Sequence, residues 1–394
     1  MPARGRYQAH YGVPGGELCG SLPFVKWFRS AKSMNRAHGP QEGGFLMYKN
    51  FGRYLMTGFA VAAMATGLSV ASAPAQDSIE LKVAIFTPEP APDAKMITRM
   101  LKDWEEKSGG RLKPVFFYGS SMGPLPRHHD LVRKGVADIA FFQHGVTPGR
   151  FPLTELVHLP YVLPAGPKGA EVGARILGDL RADYLAKEHE GTKILWLATT
   201  EPAYIYDSSK VIANVGDLKG RRYRAPTPTV ATMLKELGAN PIGLPAPLMA
   251  ESLQKGTIDG VITDPNGVFT FKLGGLVKNE TPMFLAVLSF GLVMNEDKYN
   301  SLPDDLKKII DDSVGDGAQF GARAMEVWGK VAAREDYLAK ADINKVALDP
   351  AADKEMRDLS EKFIEKTLAD LEAKGLPGRE VYAKMKAMSA EYSK

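Results

Sequence analysis

The fold is decided by residues 81–142, which open with LKVAIFTPEPAPDAKMITRMLKDW (81–104). The first six residues are apolar enough for a buried strand, and the apolar stripe after Asp93 has helical spacing, so we expect Asp93 to be the N-cap of a helix. Further segments continue the alternation, with strands over 112–118 and 137–142 and a helix over 127–134. This β-α-β-α-β pattern predicts an α/β fold with a parallel sheet, in which ligands bind at the carboxyl ends of the strands.

A second copy of part of this pattern lies 121 residues further along the chain. Residues 124–138 contain Pro-x-Pro before a short helix, Lys-Gly after it and Asp before an apolar strand, and residues 245–259 repeat that order. Stereotyped helix-end chemistry is one explanation for the match. The interpretation we favour is two similar α/β lobes around a hinged cleft, a common place for a small-molecule site.

The lobes are expected to interleave along the chain. Lobe I is predicted to contain residues 76–199 and to be completed by about 287–325, and lobe II to contain 200–286 and to be completed by C-terminal helices at about 326–394. Apolar spacing from Pro303 to Asp342 predicts one long helix that braces both lobes and bends near its glycines. Two charged amphipathic helices are predicted beyond it, over 349–374 and 379–392.

The N-terminal region has the pattern of a secretory signal preceded by an extension. Lys49 and Arg53 come before an apolar run, which leads to the cleavage-site pattern Ala73-Pro74-Ala75. We therefore expect residues 47–75 to be a signal peptide that is cleaved near Ala75, and the protein to be periplasmic. Residues 1–46 are expected to be non-native sequence upstream of a mis-assigned start codon, or a disordered extension.

Charge and cysteine content argue against several classes of function. The 394-residue chain has a net charge of +4, but without residues 1–75 it carries 42 basic and 44 acidic residues. A balanced charge gives no general basic field that would attract nucleic acid. The one cysteine, Cys19, also lies in that region, which argues against thiolate catalysis and thiolate metal ligands. With no metal-ligand spacing and no phosphate-binding loop in the sequence, we expect neither a metal nor a cofactor.

Ordered motifs across residues 79–312 resemble the solute-binding subunit of tripartite ATP-independent periplasmic (TRAP) transporters. The match centres on DLKGRRYRAP (217–226), and the remaining motifs keep the family's order: 108–111, 119–123, 159–161, 237–239, 253–256 and 258–260. The resemblance implies a two-lobed periplasmic-binding-protein fold, in which each lobe is a mixed sheet flanked by helices and a long helix backs both. It also implies a small organic acid ligand and two membrane permease partners, one small and one large. We expect the receptor to be a monomer.

The resemblance gives a role to Arg224. In this family the arginine at the matching position forms a salt bridge with the substrate carboxylate, and a guanidinium suits that task because it offers a planar fork of charged donors. Side chains alternate along a strand, so Arg222 and Arg224 would share one face while Arg221 and Tyr223 share the other. The alternative interpretation is that Lys219 and the three arginines form a solvated basic edge.

Other candidate ligand contacts follow from strand ends and from family spacing. Five of them end predicted strands at the carboxyl edge, and the family spacing adds Pro226 and Pro247; the five are Phe86, Gln143, His144, Thr263 and Asp264. Each also has a structural interpretation, with Phe86 as core and His144 as a hydrogen-bonded loop residue. Asp264 stands where the family often has asparagine. An ionised Asp264 would repel a carboxylate unless Arg224, a cation or a proton intervened, so a ligand hydroxyl, a ligand amine or a bound metal is a further alternative.

The expected ligand is a monocarboxylate with an apolar or aromatic tail. Segment 200–204 lacks the second arginine that many dicarboxylate and sialic-acid binders of this family carry nearby. A dicarboxylate binder and a ligand-sensing domain are the alternatives that keep the same fold.

GSSMG (119–123) also satisfies the G-x-S-x-G pattern of α/β hydrolases, with Ser121 as nucleophile. Prolines occupy the turn where that pattern needs its helix, and the last histidine is His189, whereas the hydrolase triad requires a histidine late in the chain. We therefore expect no enzyme.

Overall fold

The computed structural model describes residues 78–394, which form two mixed β-sheets flanked by helices. The strands are β1 (Ile79–Ile85), β2 (Leu112–Phe117), β3 (Ile139–Gln143), β4 (Thr192–Thr199), β5 (Ala203–Asp207), β6 (Arg222–Ala225), β7 (Asn240–Gly243), β8 (Gly260–Thr263), β9 (Asn279–Ala286), β10 (Ser289–Asn295) and β11 (Asn344–Lys345). The α-helices are α1 (Pro92–Lys107), α2 (His128–Arg133), α3 (Pro167–Leu180), α4 (Pro228–Glu236), α5 (Met249–Gln254), α6 (Pro265–Thr270), α7 (Glu296–Asn300), α8 (Asp304–Val314), α9 (Gly317–Trp328), α10 (Ala332–Lys340), α11 (Pro350–Glu372) and α12 (Gly378–Tyr392). The predicted extension over 1–46, the signal peptide over 47–75 and its cleavage near Ala75 lie outside the described residues.

Lobe I is built on a five-stranded sheet in the order β2-β1-β3-β10-β4. Strand β1 is parallel to β2 and β3, and β10 is antiparallel to both of its neighbours. Strand β2 is at the edge of the sheet, which suits its Pro114 because a proline has no N–H to donate to a further strand. Burial of β1 side chains such as Leu81, Val83 and Ile85 against α1 residues such as Trp104 forms part of the lobe I core.

Lobe II is built on a six-stranded sheet in the order β11-β9-β5-β8-β6-β7. Strand β6 is parallel to β7 and β8, whereas β5 is antiparallel to β8 and β9. The mixed pairing in both sheets confirms the predicted architecture. Among residues 78–394, no helix is long and apolar enough to cross a bilayer.

The predicted repeat is present in both sheets. Each copy has a one-turn 3-10 helix, a six-residue α-helix and a strand, at positions offset by 121 residues: 125–127, 128–133 and 139 onward, then 246–248, 249–254 and 260 onward. The glycine that ends each short helix has positive φ, 67° at Gly135 and 64° at Gly256. In each copy the aspartate before the strand accepts a main-chain N–H of the neighbouring strand at 2.8 Å, Asp138 from Lys82 and Asp259 from Arg222. The strand order β2-β1-β3 therefore recurs as β7-β6-β8.

The chain passes between the sheets at two adjacent crossings. One lies between β4 and β5 and the other between β9 and β10. Thr200 and Leu288 hold these crossings together, because the Thr200 N–H donates to the Leu288 carbonyl at 2.8 Å and the Leu288 N–H donates to Thr200 Oγ1 at 3.2 Å. Paired crossings of this kind are a natural hinge for closure of the two lobes.

The helix that contacts both lobes is α11 and not the predicted segment from Pro303 to Asp342. That segment forms three helices, α8, α9 and α10, because Gly315 has a φ of 74° and a capping box of Asp316 and Gln319 starts a new helix after it. The 23-residue α11 packs Met356 into the lobe II core and Leu368 into the lobe I core.

Helix α12 also differs from the expected division of the chain. Its Val381 and Met385 are fully buried in the lobe I core, where α12 packs against α3. The C-terminal helices therefore do not all complete lobe II. An amphipathic pattern predicts which face of α12 is buried but carries no information on which lobe receives it.

Candidate functional site

A cleft between the two lobes contains about 490 Å³ of space that protein atoms do not fill, part of which is open to solvent. Lobe I, the hinge and α9 line one part of it: Phe86, Thr87, Asp93, Gln143, Thr200, Leu288, Phe290 and Trp328. Lobe II lines the rest: Arg224, Ala246, Met249, Thr263, Asp264, Asn266, Gly267, Thr270 and Phe271. A site lined from both lobes is enclosed only when the lobes are closed.

The carboxyl ends of four strands meet at this cleft. Phe86 follows β1, Gln143 ends β3, Arg224 lies near the end of β6, Thr263 ends β8 and Asp264 follows it. Parallel strands in the same sheet present these ends at one edge, where open α/β sheets hold their ligands. These five predicted residues are brought together by the structure.

Arg224 differs from the neighbouring arginines in having no carboxylate within 4.0 Å among residues 78–394. Arg221 pairs with Asp207 and Arg222 pairs with Asp259. The residue Arg224 is 6% exposed, and its guanidinium donates only long hydrogen bonds, from Nε to the Leu244 carbonyl at 3.3 Å and from Nη1 to the Ile262 carbonyl at 3.5 Å. Most of its donor capacity is thus unused in the structure.

Burial affects the charge of Arg224 only slightly in the physiological range. Loss of water around the guanidinium lowers its pKa to about 10, and the nearby charge of Asp264 opposes this effect. A group with a pKa of about 10 is almost fully protonated at neutral pH. Arg224 is therefore a buried cation at the cleft and suits an anionic group.

Aromatic rings form a continuous wall on the lobe I side. Phe86 stacks on Phe141, with ring centroids 5.4 Å apart, and on Phe290, at 5.8 Å. Phe290 in turn stacks on Trp328 at 6.0 Å. Phe271 adds a ring on the lobe II side. Such surfaces bind flat apolar groups, since aromatic pairs gain from offset or edge contacts in addition to burial.

Five buried polar atoms of cleft residues lack a hydrogen-bond partner in the structure. They are Thr87 Oγ1, Gln143 Nε2, Asn266 Oδ1, Thr270 Oγ1 and Trp328 Nε1. Unpaired buried polar atoms are uncommon in folded proteins, because each loses its hydrogen bonds to water without compensation. Their concentration at one cleft, with both donors and acceptors among them, is typical of a site that is completed by a ligand.

Two carboxyl groups from opposite lobes also lie at the cleft. Asp264 is the N-cap of α6, and one of its oxygens accepts from the N–H groups of Asn266 at 3.0 Å and Gly267 at 3.3 Å. Burial raises the pKa of Asp264 to about 6, and the charge of Arg334 opposes the shift. Burial likewise raises the pKa of Asp93 to about 6, with hydrogen bonds opposing it and the charge of Asp264 adding to it. Because the pKa of each carboxyl is about 6, a small change in its surroundings alters its protonation state near neutral pH.

The N-cap prediction for Asp93 is wrong. Helix α1 starts two residues earlier, after Ala91, whose side chain cannot cap, and Pro92 occupies the first turn. Asp93 lies within that turn, where its carboxylate accepts the N–H of Ala94 at 2.8 Å. The same displacement leaves Asp93 lining the cleft, a role that its sequence position did not indicate.

Three predicted ligand contacts lie outside the cleft lining. Pro226 follows β6 where the chain turns into α4. It does not line the cleft, whereas Arg224, two residues earlier, does. Pro247 is exposed in the 3-10 turn 246–248. Residues three apart share a face of such a turn, so Ala246 and Met249 line the cleft while Pro247 faces away from it.

His144 is buried in a separate cluster of side chains. Successive residues of a strand point to opposite sides, so the placement of Gln143 at the cleft directs His144 elsewhere. His144 contacts His189 through their Nε2 atoms at 3.0 Å, and its Nδ1 contacts Ser289 Oγ at 3.0 Å. The structure therefore favours the hydrogen-bonded interpretation of His144 over the ligand contact.

The hydrolase pattern around Ser121 has no catalytic partner in the described part of the chain. Ser121 is exposed in the turn after β2. The nearest histidine in sequence, His128, instead contacts the carbonyls of Phe141 at 3.0 Å and Gly123 at 3.1 Å. Within residues 78–394, no three His, Cys, Asp or Glu side chains are grouped so that they could hold a metal ion.

Several residues that line the cleft were not predicted from the sequence. Asn266 had a detectable signal, since it follows the cap residue Asp264 by two positions and begins a short helix. Trp328 had none, because its contribution depends on where α9 ends. The other unpredicted lining residues are apolar or small: Ala246, Met249, Gly267, Thr270, Phe271, Leu288 and Phe290, along with Thr87 and Thr200.

Comparison with known proteins identifies the type of receptor to which this architecture is similar. The family model described as bacterial extracellular solute-binding protein, family 7, matches residues 83–370. A curated relative, the outer membrane transporter protein TsaT of Comamonas testosteroni, is 27% identical over 351 residues, which cover 86% of this chain and 99% of the relative.

Solved structures of TRAP solute-binding proteins are also similar. A marine metagenome protein, described as specific for aromatic acid ligands and bound to metahydroxyphenylacetate, is 31% identical with a TM-score of 0.74, covering 80% of this chain and 100% of its own. A Rhodoferax ferrireducens protein with copurified benzoate is 28% identical with a TM-score of 0.73, at 80% and 99% coverage. A Bordetella bronchiseptica protein with bound (R)- and (S)-mandelate is 26% identical with a TM-score of 0.70, at 79% and 99% coverage.

Proposed function

Because the chain belongs to the bacterial extracellular solute-binding proteins of family 7, the receptors of TRAP transporters, we propose that it captures an aromatic monocarboxylate between its lobes. Proteins of this family are periplasmic binding receptors and not enzymes, and they work with membrane permease subunits. What the proposal adds is the class of ligand and the residues that bind it.

The observation that carries the proposal is the buried guanidinium of Arg224 beside an aromatic wall. Arg224 is a cation without a carboxylate partner, and a ligand carboxylate would supply one through charge-assisted hydrogen bonds. Phe86, Phe290 and Trp328 supply flat apolar surface for the rest of the ligand. The cleft is lined from both lobes, and sites for small molecules commonly lie between two such units.

The polar atoms at the cleft extend this assignment. We assign Gln143 Nε2 and Trp328 Nε1 as donors to ligand oxygen atoms, and Asn266 Oδ1 as an acceptor for a ligand hydroxyl. Thr263 and Asp264 complete the lobe II side near the carboxylate. A benzoate with a hydroxyl substituent satisfies more of these atoms than benzoate itself, so we expect the hydroxylated acid to bind more tightly.

A monocarboxylate is favoured over a dicarboxylate by the number of cations at the cleft. Arg224 is the one Lys or Arg side chain among the described residues that line it. A second ligand carboxylate would be buried without a cation and would lie in the same cleft as Asp93 and Asp264. Succinate should therefore bind far more weakly than benzoate.

Calorimetric titration of benzoate, 3-hydroxybenzoate, mandelate and succinate tests the proposal. We expect the three aromatic acids to bind and succinate to bind weakly or not at all. The variant Arg224→Ala should weaken benzoate binding by about 30-fold or more, since removing one partner of a buried charged hydrogen bond costs about 2 kcal/mol or more.

Arg222→Ala is the matched control, because Arg222 lies on the same strand but pairs with Asp259 and does not line the cleft. This variant should retain wild-type affinity. Equal affinities in the Arg224→Ala variant and the wild type would contradict the anchor. Tight binding of succinate would contradict the ligand class.

We also propose that residues 47–75 direct export and are removed near Ala75, and that the receptor acts as a monomer. The support for export is the signal-like pattern in the sequence together with the periplasmic location of the family. Terminal sequencing of the exported protein should give a start just after Ala75, and light scattering should give the mass of one chain. A start before Met47 would contradict the signal assignment.

A further inference from the structure

Five ionisable side chains are buried at or directly behind the ligand cleft. Each is at most 6% exposed, and each comes from a different element: Asp93 from the first turn of α1, Glu201 from the hinge, Arg224 from β6, Asp264 from the cap of α6, and Arg334 from α10. Three are acids and two are bases. Of these five, two acids, Asp93 and Asp264, and one base, Arg224, line the cleft itself, so its lining has more acids than bases before any anionic ligand enters.

The two bases do not serve the cleft equally. Arg334 lies behind Asp264, where it contacts Glu201 at 3.5 Å and Glu335 at 3.0 Å and donates to the Gly329 carbonyl at 2.6 Å. Its ion pairs are thus with acids that do not line the cleft, although its charge also acts on Asp264. Arg224 alone lines the cleft together with Asp93 and Asp264.

Closure of the lobes increases the repulsion between these acids. Asp93 belongs to lobe I and Asp264 to lobe II, so the closed arrangement places two buried carboxyls in one cleft that a single cation lines. A ligand carboxylate beside Arg224 would be the third negative charge there. Like charges that share a desolvated site favour protonation of one member.

We propose that the receptor captures its carboxylate ligand together with a proton, which the pair formed by Asp264 and Asp93 takes up as the lobes close. This inference rests on the proposed function, because it takes the ligand to be an anion held by Arg224. Asp264 and Asp93 are thereby assigned as the residues that set the pH range of capture. In their protonated form the pair also offers a hydrogen-bond donor to the bound carboxylate.

The direction of the pH effect follows from the charges that face the pair. Without ligand, burial already raises the pKa of both Asp264 and Asp93 to about 6, while Arg334 opposes the shift at Asp264. A bound anion raises the pKa of the pair further, so the complex holds more protons than the free receptor. Affinity therefore falls as the pH rises above about 6.

Glu201 is the other acid of the group whose protonation could contribute. It faces Asp264, Arg334, Glu335 and Glu280, and burial raises its pKa to about 8. Glu201 does not line the cleft and keeps its contact with Arg334, so we expect its protonation state to change less when the ligand binds. The test must therefore separate Asp264 and Asp93 from the rest.

Calorimetry with benzoate from about pH 6 to about pH 8.5 tests the proposal, since the benzoate carboxyl stays ionised throughout. We expect the Kd to rise by up to about tenfold per pH unit, which corresponds to one proton bound per ligand. Titrations at pH 7 in phosphate and in Tris, which differ in their heats of ionisation, should show uptake approaching one proton per benzoate.

The variant Asp264→Asn should abolish most of this dependence. Asparagine retains the ability to cap α6 but does not titrate, so the Kd should become nearly independent of pH and should be lower than that of the wild type at pH 8.5. Asp93→Asn should reduce the slope in the same direction. Asp312→Asn, an exposed change on α8, should keep the wild-type slope.

The outcomes separate proton-coupled capture from the proposed function on which it rests. Benzoate binding with a pH-independent Kd and no proton uptake would overturn proton-coupled capture while leaving the proposed function intact. An unchanged slope in both Asp264→Asn and Asp93→Asn would overturn the assignment of the pair. Failure of every aromatic acid to bind at any pH would overturn both the proposed function and this inference.

Discussion

Arg224 is costly to bury without a ligand and is held in place by the fold. Its two main-chain contacts are long, at 3.3 and 3.5 Å, and its nearest opposite charge is Asp264, which is itself buried. A cation in this state gains more from a ligand carboxylate than a solvated one does, because no strong hydrogen bonds to water must be broken. The fold supplies a guanidinium already desolvated for binding.

Three arginines near β6, Arg221, Arg222 and Arg224, show how much of the site can be predicted from single residues. Side-chain alternation predicted that Arg221 and Tyr223 share a face, and both do bond to Asp207. The same rule left Arg222 and Arg224 equivalent. What separates them is Asp259, which directly precedes the adjacent strand β8 and pairs with Arg222, and a single sequence does not show which distant aspartate lies beside which arginine.

His129 gives a residue-scale prediction about stability. Both of its ring nitrogens are buried without a hydrogen-bond partner, between Phe142 and Phe151, and burial lowers its pKa to about 3. Replacing this unsatisfied polar ring by a side chain of similar volume, as in His129→Leu, should raise the unfolding free energy by about 1 kcal/mol. Thermal and urea unfolding of the ligand-free protein measure the change.

The matched control is the adjacent His128→Leu. His128 is equally buried, but its nitrogens contact the carbonyls of Phe141 and Gly123, so this variant should lose about 1 kcal/mol or more. The advantage of His129→Leu should grow as the pH falls below about 6.5. Below that value the unfolded wild-type chain binds a proton at His129 that the folded chain does not. Destabilisation by His129→Leu would show that the imidazole has a partner.

At the scale of elements, the repeated units were predictable and the C-terminal helices were not. The repeat is specified by local chemistry, because Pro-x-Pro, Lys-Gly and Asp each act within a few residues. The two copies have the same elements and the same positive φ at the glycine that ends the short helix. Which helix would bridge the lobes depends on long-range packing. Three amphipathic segments had suitable faces, and α11 is the one whose ends reach different cores, through Met356 and Leu368.

An element-scale prediction concerns the turn after β3, which contacts lobe II at Gly145. A Cβ atom on Gly145 would lie 2.8 Å from the Thr227 methyl group, and Thr227 is the N-cap of α4. The variant Gly145→Ala should therefore oppose closure and raise the Kd for the ligand about tenfold, an overpacking cost of about 1.4 kcal/mol. The substituted residue does not line the cleft.

A second substitution tests the cause of that effect. Thr227→Ser removes the methyl group but keeps the hydroxyl that caps α4, so the double variant Gly145→Ala with Thr227→Ser should recover most of the lost affinity. Gly243→Ala is a control, because a Cβ there meets no atom within 4 Å. No recovery in the double variant would show that Gly145→Ala acts on something other than the contact between the lobes.

At the scale of the whole molecule, the chain joins the lobes at four places. Two are the strand crossings at Thr200 and Leu288, which are hydrogen-bonded to each other, the third is the link from α9 to α10, and the fourth is α11, which packs on both cores. A two-lobed architecture was predictable because it follows from the repeat and from the family resemblance. The charges of the closed cleft were not, because Asp93 and Asp264 meet only when both lobes are in place.

Buried carboxyl groups set the pH dependence of stability on the alkaline side. Burial raises the pKa of Glu155 to about 8, with the charge of Glu188 adding to the shift, and burial raises that of Glu201 to about 8 as well. A folded pKa above the unfolded value gives stability that is fully present below about pH 4.3 and is lost as the pH rises through about 8. Buried histidines such as His158, whose pKa burial lowers to about 3, act in the opposite direction, but only below about pH 6.5.

We therefore expect the ligand-free protein to become less stable between about pH 6.5 and about pH 8, where the carboxyls act unopposed by the histidines. The loss should be up to about 1.4 kcal/mol per pH unit for each raised group, seen as a falling Tm. Glu155→Gln should flatten the curve of Tm against pH, because glutamine does not titrate. The substitution breaks no hydrogen bond of Glu155 Oε1, since that atom has no partner. The exposed change Glu391→Gln should not alter it. If the Tm is constant or rises over this range, Glu155 and Glu201 are not buried in their neutral forms, and the balance of charge behind the cleft differs from the one described.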